Sequence, residues 1–231
     1  MTSAELLLLG IEHEKKQDYD KMIMYYKLAI DMKQTTAMFN LARYYDDKNN
    51  IVEMLKYYKM GAEHGNADAM VNLAIYYKDN KNLDEMKKYY LMAAECGNIK
   101  AISGLASYFM GIKEYDKMMK YSMIAISGGH AVAMHNLGVY YNNQGDYENM
   151  AKYYIMAVEN GFYDGVDNIY KYYTQECRYK ELFALFLGFY KRDNKNVAIK
   201  KYLKELLKLD SILEIFISGH IALLKKFDAN T

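Results

Sequence analysis

Four asparagines, Asn40, Asn72, Asn136 and Asn168, hold one register of a repeating phrase, each immediately before a core Leu or Ile, and Gly104 stands where a fifth would fall. A side-chain amide carries donors and an acceptor, so a row of them can satisfy both the N–H and the C=O groups of an extended peptide. The competing reading is that Asn at this position helps hold neighbouring helices together. Variable residues beside the row would supply specificity: Phe39, Val71, Ser103, His135 and Asp167 one place before, and Arg43, Ile75, Ser107, Val139 and Lys171 one helical turn on. Arg43 and Lys78 are the cations that join the asparagines as candidates.

Other chemistry is poorly supplied. The histidines, His13, His64, His130, His135 and His220, are scattered, and none belongs to a His-Glu-x-x-His pattern. The chain also lacks a glycine-rich phosphate loop and a paired-cysteine zinc motif. His64 and Cys96 hold equivalent registers, but two donors fall short of the four that a structural zinc site uses. The expectation is a non-enzymatic binding protein with no cofactor and no metal, whose candidate peptide-binding residues are Asn40, Asn72, Asn136, Asn168, Phe39, Arg43, Lys78 and His135.

The elements that must position these residues repeat every 32 residues. Ala37 to Tyr45 returns as Ala69 to Tyr77, Ala101 to Phe109 and Ala133 to Tyr141, and more loosely as Gly165 to Tyr173. Met22, Met54, Met86, Met118 and Met150 keep the same step. Self-similarity of this length marks a solenoid. Met134, Leu137, Gly138 and Tyr141 stand at i, i+3, i+4 and i+7, which predicts a helix with one apolar face. A polar turn, Asn142 to Asp146, separates it from a second helix carrying Tyr147, Met150, Tyr154 and Ala157, which Gly161 ends as Gly65, Gly97 and Gly129 end its equivalents. Small residues recur where helices must approach: Ala42, Ala74, Ala106 and Gly138 in the first helix, and Ala29, Gly61, Ala93, Ala125 and Ala157 in the second. The chain has no Pro. Its 26 tyrosines and 17 methionines follow helical spacing and read as core and inter-repeat packing rather than as a base-stacking platform.

The run Ala133 to Tyr147, with Leu137-Gly138 in the first helix and Gly145-Asp146-Tyr147 at the turn, resembles a tetratricopeptide repeat. The joint Ala93, Gly97, Ala101 resembles the Sel-one-like repeat instead. The resemblance covers roughly residues 3 to 190. It implies an all-α, right-handed αα solenoid superhelix of about seven antiparallel helix pairs. The first helices would line a concave groove, and the protein would serve as an adaptor or scaffold binding a protein or peptide partner there. In this family an asparagine ladder can line the groove, and a clamp of Lys, Arg and Asn can hold a chaperone tail. The final units depart from the pattern, with Tyr170 at the small position, Leu185-Phe186 at the tyrosine pair and Phe189 at the alanine. The whole chain, 1–231, is expected to be one domain, with the pairs at about 3–33 and about 197–227 as caps.

A net charge of +1 supplies no global field for nucleic acid or an anionic membrane. Cys96 and Cys177 suggest no disulfide framework, the start lacks a basic leader before its apolar run, and no stretch is long enough to cross a bilayer; a cytoplasmic protein without membrane insertion is expected. Locally, Arg178 to Lys208 is rich in Lys and Arg, which makes a nucleic-acid-associated protein the alternative reading. Ile212 to Leu224 is apolar nearly all round, so it should either fold back over the last repeat or join two copies as a homodimer or larger assembly.

Overall fold

A computed structural model describes residues 1–207. The chain packs as two compact units, Met1–Gly128 and Gly129 onward. The first unit contains α1 (Ser3–Lys15), α2 (Tyr19–Asp31), α3 (Thr35–Asp47), α4 (Ile51–Glu63), α5 (Ala67–Asp79), α6 (Leu83–Glu95), α7 (Ile99–Gly111) and α8 (Tyr115–Ser127). The second contains α9 (Ala131–Gln144), α10 (Tyr147–Glu159), α11 (Val166–Gln175), α12 (Tyr179–Arg192) and α13 (Val197–Leu207). The described residues hold no strand. Within each unit every helix packs against the next one in the chain, so the fold is an αα solenoid of tandem helix pairs. The remainder of the expected last pair, the apolar segment from Ile212 to Leu224, and Lys208 lie outside the described residues.

The turns explain why the helices are so uniform. A left-handed residue falls every 16 positions, at Gln17, Lys33, Asn49, Gly65, Lys81, Gly97, Lys113, Gly129, Gly145, Gly161 and Cys177. At Gly65, for example, its N–H donates to the Ala62 carbonyl at 3.0 Å and the next N–H, of Asn66, to the Gly61 carbonyl at 2.9 Å. This pair of bonds satisfies carbonyls that the helix end would otherwise leave open. Asn66 then starts the following helix, its side chain accepting from the Ala69 N–H at 2.8 Å. Asn50, Asn82, Asn98 and Asp146 cap their helices in the same way. One residue thus closes a helix through its backbone and opens the next through its side chain, which keeps the links short.

Packing follows the repeat. The expected small positions are all buried, Ala42, Ala74, Ala29 and Ala93 completely. A Cβ added to Gly61 would stand 3.0 Å from that of Ala69. The tyrosine pairs build a regular aromatic joint within each helix pair: Tyr45 stacks on Tyr57 with centroids 5.8 Å apart, Tyr77 on Tyr89 at 5.6 Å, Phe109 on Tyr121 at 5.5 Å and Tyr141 on Tyr153 at 5.4 Å. Lys56 and Lys88 reach over the Tyr57 and Tyr89 rings at 4.9 and 5.1 Å, covering them with a cation.

The second unit departs where the sequence drifts. α11 starts at Val166, later than the step requires, and Gly165 before it lies against Tyr154, whose Cδ1 would be 2.4 Å from an added Cβ. Phe183, Phe186 and Phe189 are buried, and Tyr170 stacks on Tyr202 at 4.1 Å. Large aromatics here replace the close helix contact that small residues allow elsewhere.

Candidate functional site

In the first unit one arrangement occurs three times. A tyrosine of an even-numbered helix, Tyr26, Tyr58 or Tyr90, is buried beneath the following odd-numbered helix at the level of Asn40, Asn72 or Gly104. The surroundings of these tyrosines differ.

Around Tyr26 the space is closed by polar groups. The Tyr26 hydroxyl donates to Glu14 Oε2 at 2.6 Å, Asn40 Nδ2 donates to that hydroxyl at 3.5 Å, and Arg43 Nη2 meets Glu14 Oε1 at 3.0 Å. Burial first, and then the Glu14 carboxylate, hold the Tyr26 phenol well above its ordinary range. Around Tyr58 the amide bond is shorter, Asn72 Nδ2 donating to the hydroxyl at 2.8 Å. A cavity of about 210 Å³ remains there, lined in part by Arg43, Asp46, Ile75 and Asp79. Burial raises the Tyr58 phenol, while the Asn72 hydrogen bond works against that rise.

Around Tyr90 the cavity grows to about 430 Å³. Gly104, Ser107 and Gly111 stand in the registers of Asn72, Ile75 and Asp79, so three side chains that fill the preceding niche are cut back together. The wall is mostly apolar, formed by Leu83, Met86, Tyr108 and Ile112, with Lys78 at the edge. Tyr90 itself presses against the Gly104 backbone, where a Cβ would come within 2.7 Å of its Cζ.

The expected site residues therefore divide. Asn40 and Asn72 are half-buried and donate to tyrosines, which is the helix-joining role weighed against a peptide ladder. Arg43 is exposed but engaged with Glu14. Phe39 packs against Tyr58 with centroids 6.0 Å apart. Lys78 is exposed and lines the open niche. In the sequence Gly104 breaks the asparagine series, and Ser107 and Gly111 are likewise smaller than Ile75 and Asp79, but only the packing brings the three shortened positions to one cavity.

A family model described as tetratricopeptide repeat matches residues 6–36, 67–95 and 131–159. The architecture is that of solved repeat proteins. It is similar to c5321, a protective antigen of uropathogenic Escherichia coli with an SLR fold, at a TM-score of 0.69 and 20 % identity. That match covers 92 % of this chain and 50 % of the antigen, so the chain spans about half the antigen's length. A Sel1 repeat protein from Oxalobacter formigenes superposes with a TM-score of 0.62 at 20 % identity, covering 90 % and 89 % of the two chains. The chain carries tetratricopeptide-like repeats on the fold of Sel1-like repeat proteins. Pseudomonas aeruginosa pilF also shares the fold, with a TM-score of 0.62, 12 % identity and coverage of 88 % and 97 %. No curated protein sequence matches this repeat protein significantly.

In the second unit of the repeat protein, His135 packs between Tyr154 and Phe162, at centroid distances of 5.3 and 4.9 Å. Asn136 and Asn168 are half-buried on α9 and α11. Asp167, beside Asn168, accepts from the Tyr202 hydroxyl at 2.8 Å; burial and then this carboxylate push the Tyr202 phenol up to about 12. The basic stretch is partly neutralised locally, Arg178 by Glu181 and Arg192 by Glu159. Lys195, Lys200, Lys201 and Lys204 border a shallow depression with Val197 and Glu205. Among the described residues no three His, Cys, Asp or Glu side chains converge as a metal site, and no helix is long and apolar enough to cross a membrane.

Proposed function

We propose that this repeat protein is a non-enzymatic scaffold that binds a segment of a partner protein on the exposed face of the odd-numbered helices. Tetratricopeptide and Sel1-like repeat folds typically mediate protein–protein interactions and are generally non-catalytic. The observation that carries the reading is the niche at Tyr90, about twice the volume of its equivalent at Tyr58 on that face. A preformed helical surface is ordered before its ligand arrives, so a partner segment carries most of the ordering cost. Ile75 and Lys78, exposed on α5, and Arg43, exposed on α3, flank the binding path.

Site-directed photo-crosslinking tests the face. A benzophenone amino acid is placed at Ile75 on α5 or, as a control, at Val52, which is 77 % exposed on α4. Irradiation in lysate should yield a protein adduct from position 75 that position 52 does not give. Adducts from position 52 alone, or from neither, would reject binding by the odd-numbered helices.

A further inference from the structure

The niche beneath α7 differs from its predecessor by more than size. In the preceding repeats the edge position carries an acid, Glu14 and then Asp46; at the third it carries Lys78. Lys48 and Asn80 give way to Ile112 at the far wall, so polarity falls inside the niche while the charge at its edge reverses sign. Lys78 makes no ion pair among the described residues. Asp79, the acid beside it, lines the Tyr58 niche, although its charge also reaches the Tyr90 phenol.

A second observation concerns Tyr90. It is 7 % exposed and lines the cavity, yet its hydroxyl has no hydrogen-bond partner among the described residues, whereas Tyr26 and Tyr58 each receive an amide. The hydroxyl is not sealed from water but opens to the cavity, where it is available to a ligand atom as donor or acceptor. Within the protein the missing partner is the side chain that Gly104 lacks.

We propose that the Tyr90 niche is an anchor pocket for an aromatic side chain of a partner protein, preceded in that partner by an acidic residue. The inference rests on the protein-binding reading above and names what is bound. The ring fills the space vacated by Ile and Asp and lies against Met86 and Leu83. The carboxylate pairs with Lys78 at the edge, and a peptide group of the segment takes the hydrogen bond of the Tyr90 hydroxyl. A volume of about 430 Å³ accommodates one aromatic ring with its flanking backbone.

Methionine-methyl NMR on the full chain tests this, because Met86 lines the pocket and its signal can be assigned with Met86→Leu. The probes are three blocked dipeptides: Glu-Phe, Gln-Phe and Glu-Ala. Glu-Phe should shift the Met86 methyl saturably, Gln-Phe should bind several-fold more weakly, and Glu-Ala should leave the signal unmoved. Lys78→Gln should bring Glu-Phe down to the level of Gln-Phe, and Ser107→Ile, which restores the preceding repeat's residue, should abolish the shift at an unchanged melting temperature. If Ser107→Ile melts early, Gly111→Asn, at a position where an added Cβ meets nothing within 4 Å, narrows the same pocket and replaces it. No Met86 shift with Glu-Phe, an equal shift with Glu-Ala, or an undiminished shift when the pocket is closed overturns the pocket; indifference to Lys78→Gln overturns the acidic neighbour. Failure here with a position-75 adduct would leave the binding face standing and remove only this anchor, whereas Met86 binding without an adduct would reject the protein partner.

Discussion

The niches at Tyr58 and Tyr90 are built from the same register of the same repeat, yet one is narrow and the other wide. At Tyr58 an amide from Asn72 meets the hydroxyl at 2.8 Å and the remaining space is about 210 Å³. At Tyr90 no side chain stands at position 104, and the space is about 430 Å³. The difference teaches that a solenoid can create a site by subtraction. Main-chain geometry is retained at both places, because caps and small residues elsewhere hold the helices apart at a set distance.

The largest effect that sharpens this comparison comes from removing each ring. Tyr58→Ala deletes a side chain that is 1 % exposed and strands Asn72, and it should cost about 3–5 kcal/mol in denaturant unfolding. Tyr90→Ala should cost less, by about 1 kcal/mol or more, because the void it leaves joins a cavity already open to water. Equal losses would mean that the two niches are packed alike. Next in size is Ala106→Leu, which forces a large side chain into the contact beneath the open niche's helix; overpacking should cost about 1–3 kcal/mol by thermal melting.

A finer test removes only the hydroxyl. Tyr58→Phe should lose about 1 kcal/mol with its hydrogen bond, whereas Tyr90→Phe should be neutral or slightly stabilising, since its hydroxyl satisfies nothing within the protein. A comparable loss at both positions would reveal a partner for Tyr90 and weaken the pocket assignment.

The smallest effect is alkaline. Burial raises both phenols, opposed at Tyr58 by the Asn72 hydrogen bond and reinforced at Tyr90 by the Asp79 charge. The folded chain therefore keeps these protons to higher pH than the unfolded chain, so their contribution is complete below the unfolded tyrosine pKa of about 10 and declines as pH rises above it. Melting temperatures followed from pH 9 upward, about where tyrosine begins to ionise, should fall, and Tyr90→Phe should reduce that fall. An unchanged slope would place the effect in other tyrosines, such as Tyr26 and Tyr202.

Much of the fold is legible in the sequence. The 32-residue period places the starts of α1, α3, α5 and α7 at Ser3, Thr35, Ala67 and Ile99, and the small residues read as helix contacts are buried. The turns were only half legible. Gly65, Gly97, Gly129 and Gly161 announce left-handed backbone, but Lys33, Lys81 and Lys113 adopt φ near +60° without any sign of it in their side chains. There the two carbonyl-satisfying bonds of the helix end outweigh a strain of about 1–2 kcal/mol.

The candidate site was less legible. Asn40 and Asn72 attract notice as a ladder, but their partners, Tyr26 and Tyr58, lie 14 residues back on another helix, and Arg43 meets Glu14 from 29 residues away. Sequence by itself determined the period, the helices and the buried small positions, because these depend on local propensity and on which residues face a neighbour. Tertiary structure alone decided that Gly104, Ser107, Gly111, Ile112 and Lys78 surround one hydroxyl, because a cavity is the space left between side chains of three helices, and no single helix encodes it.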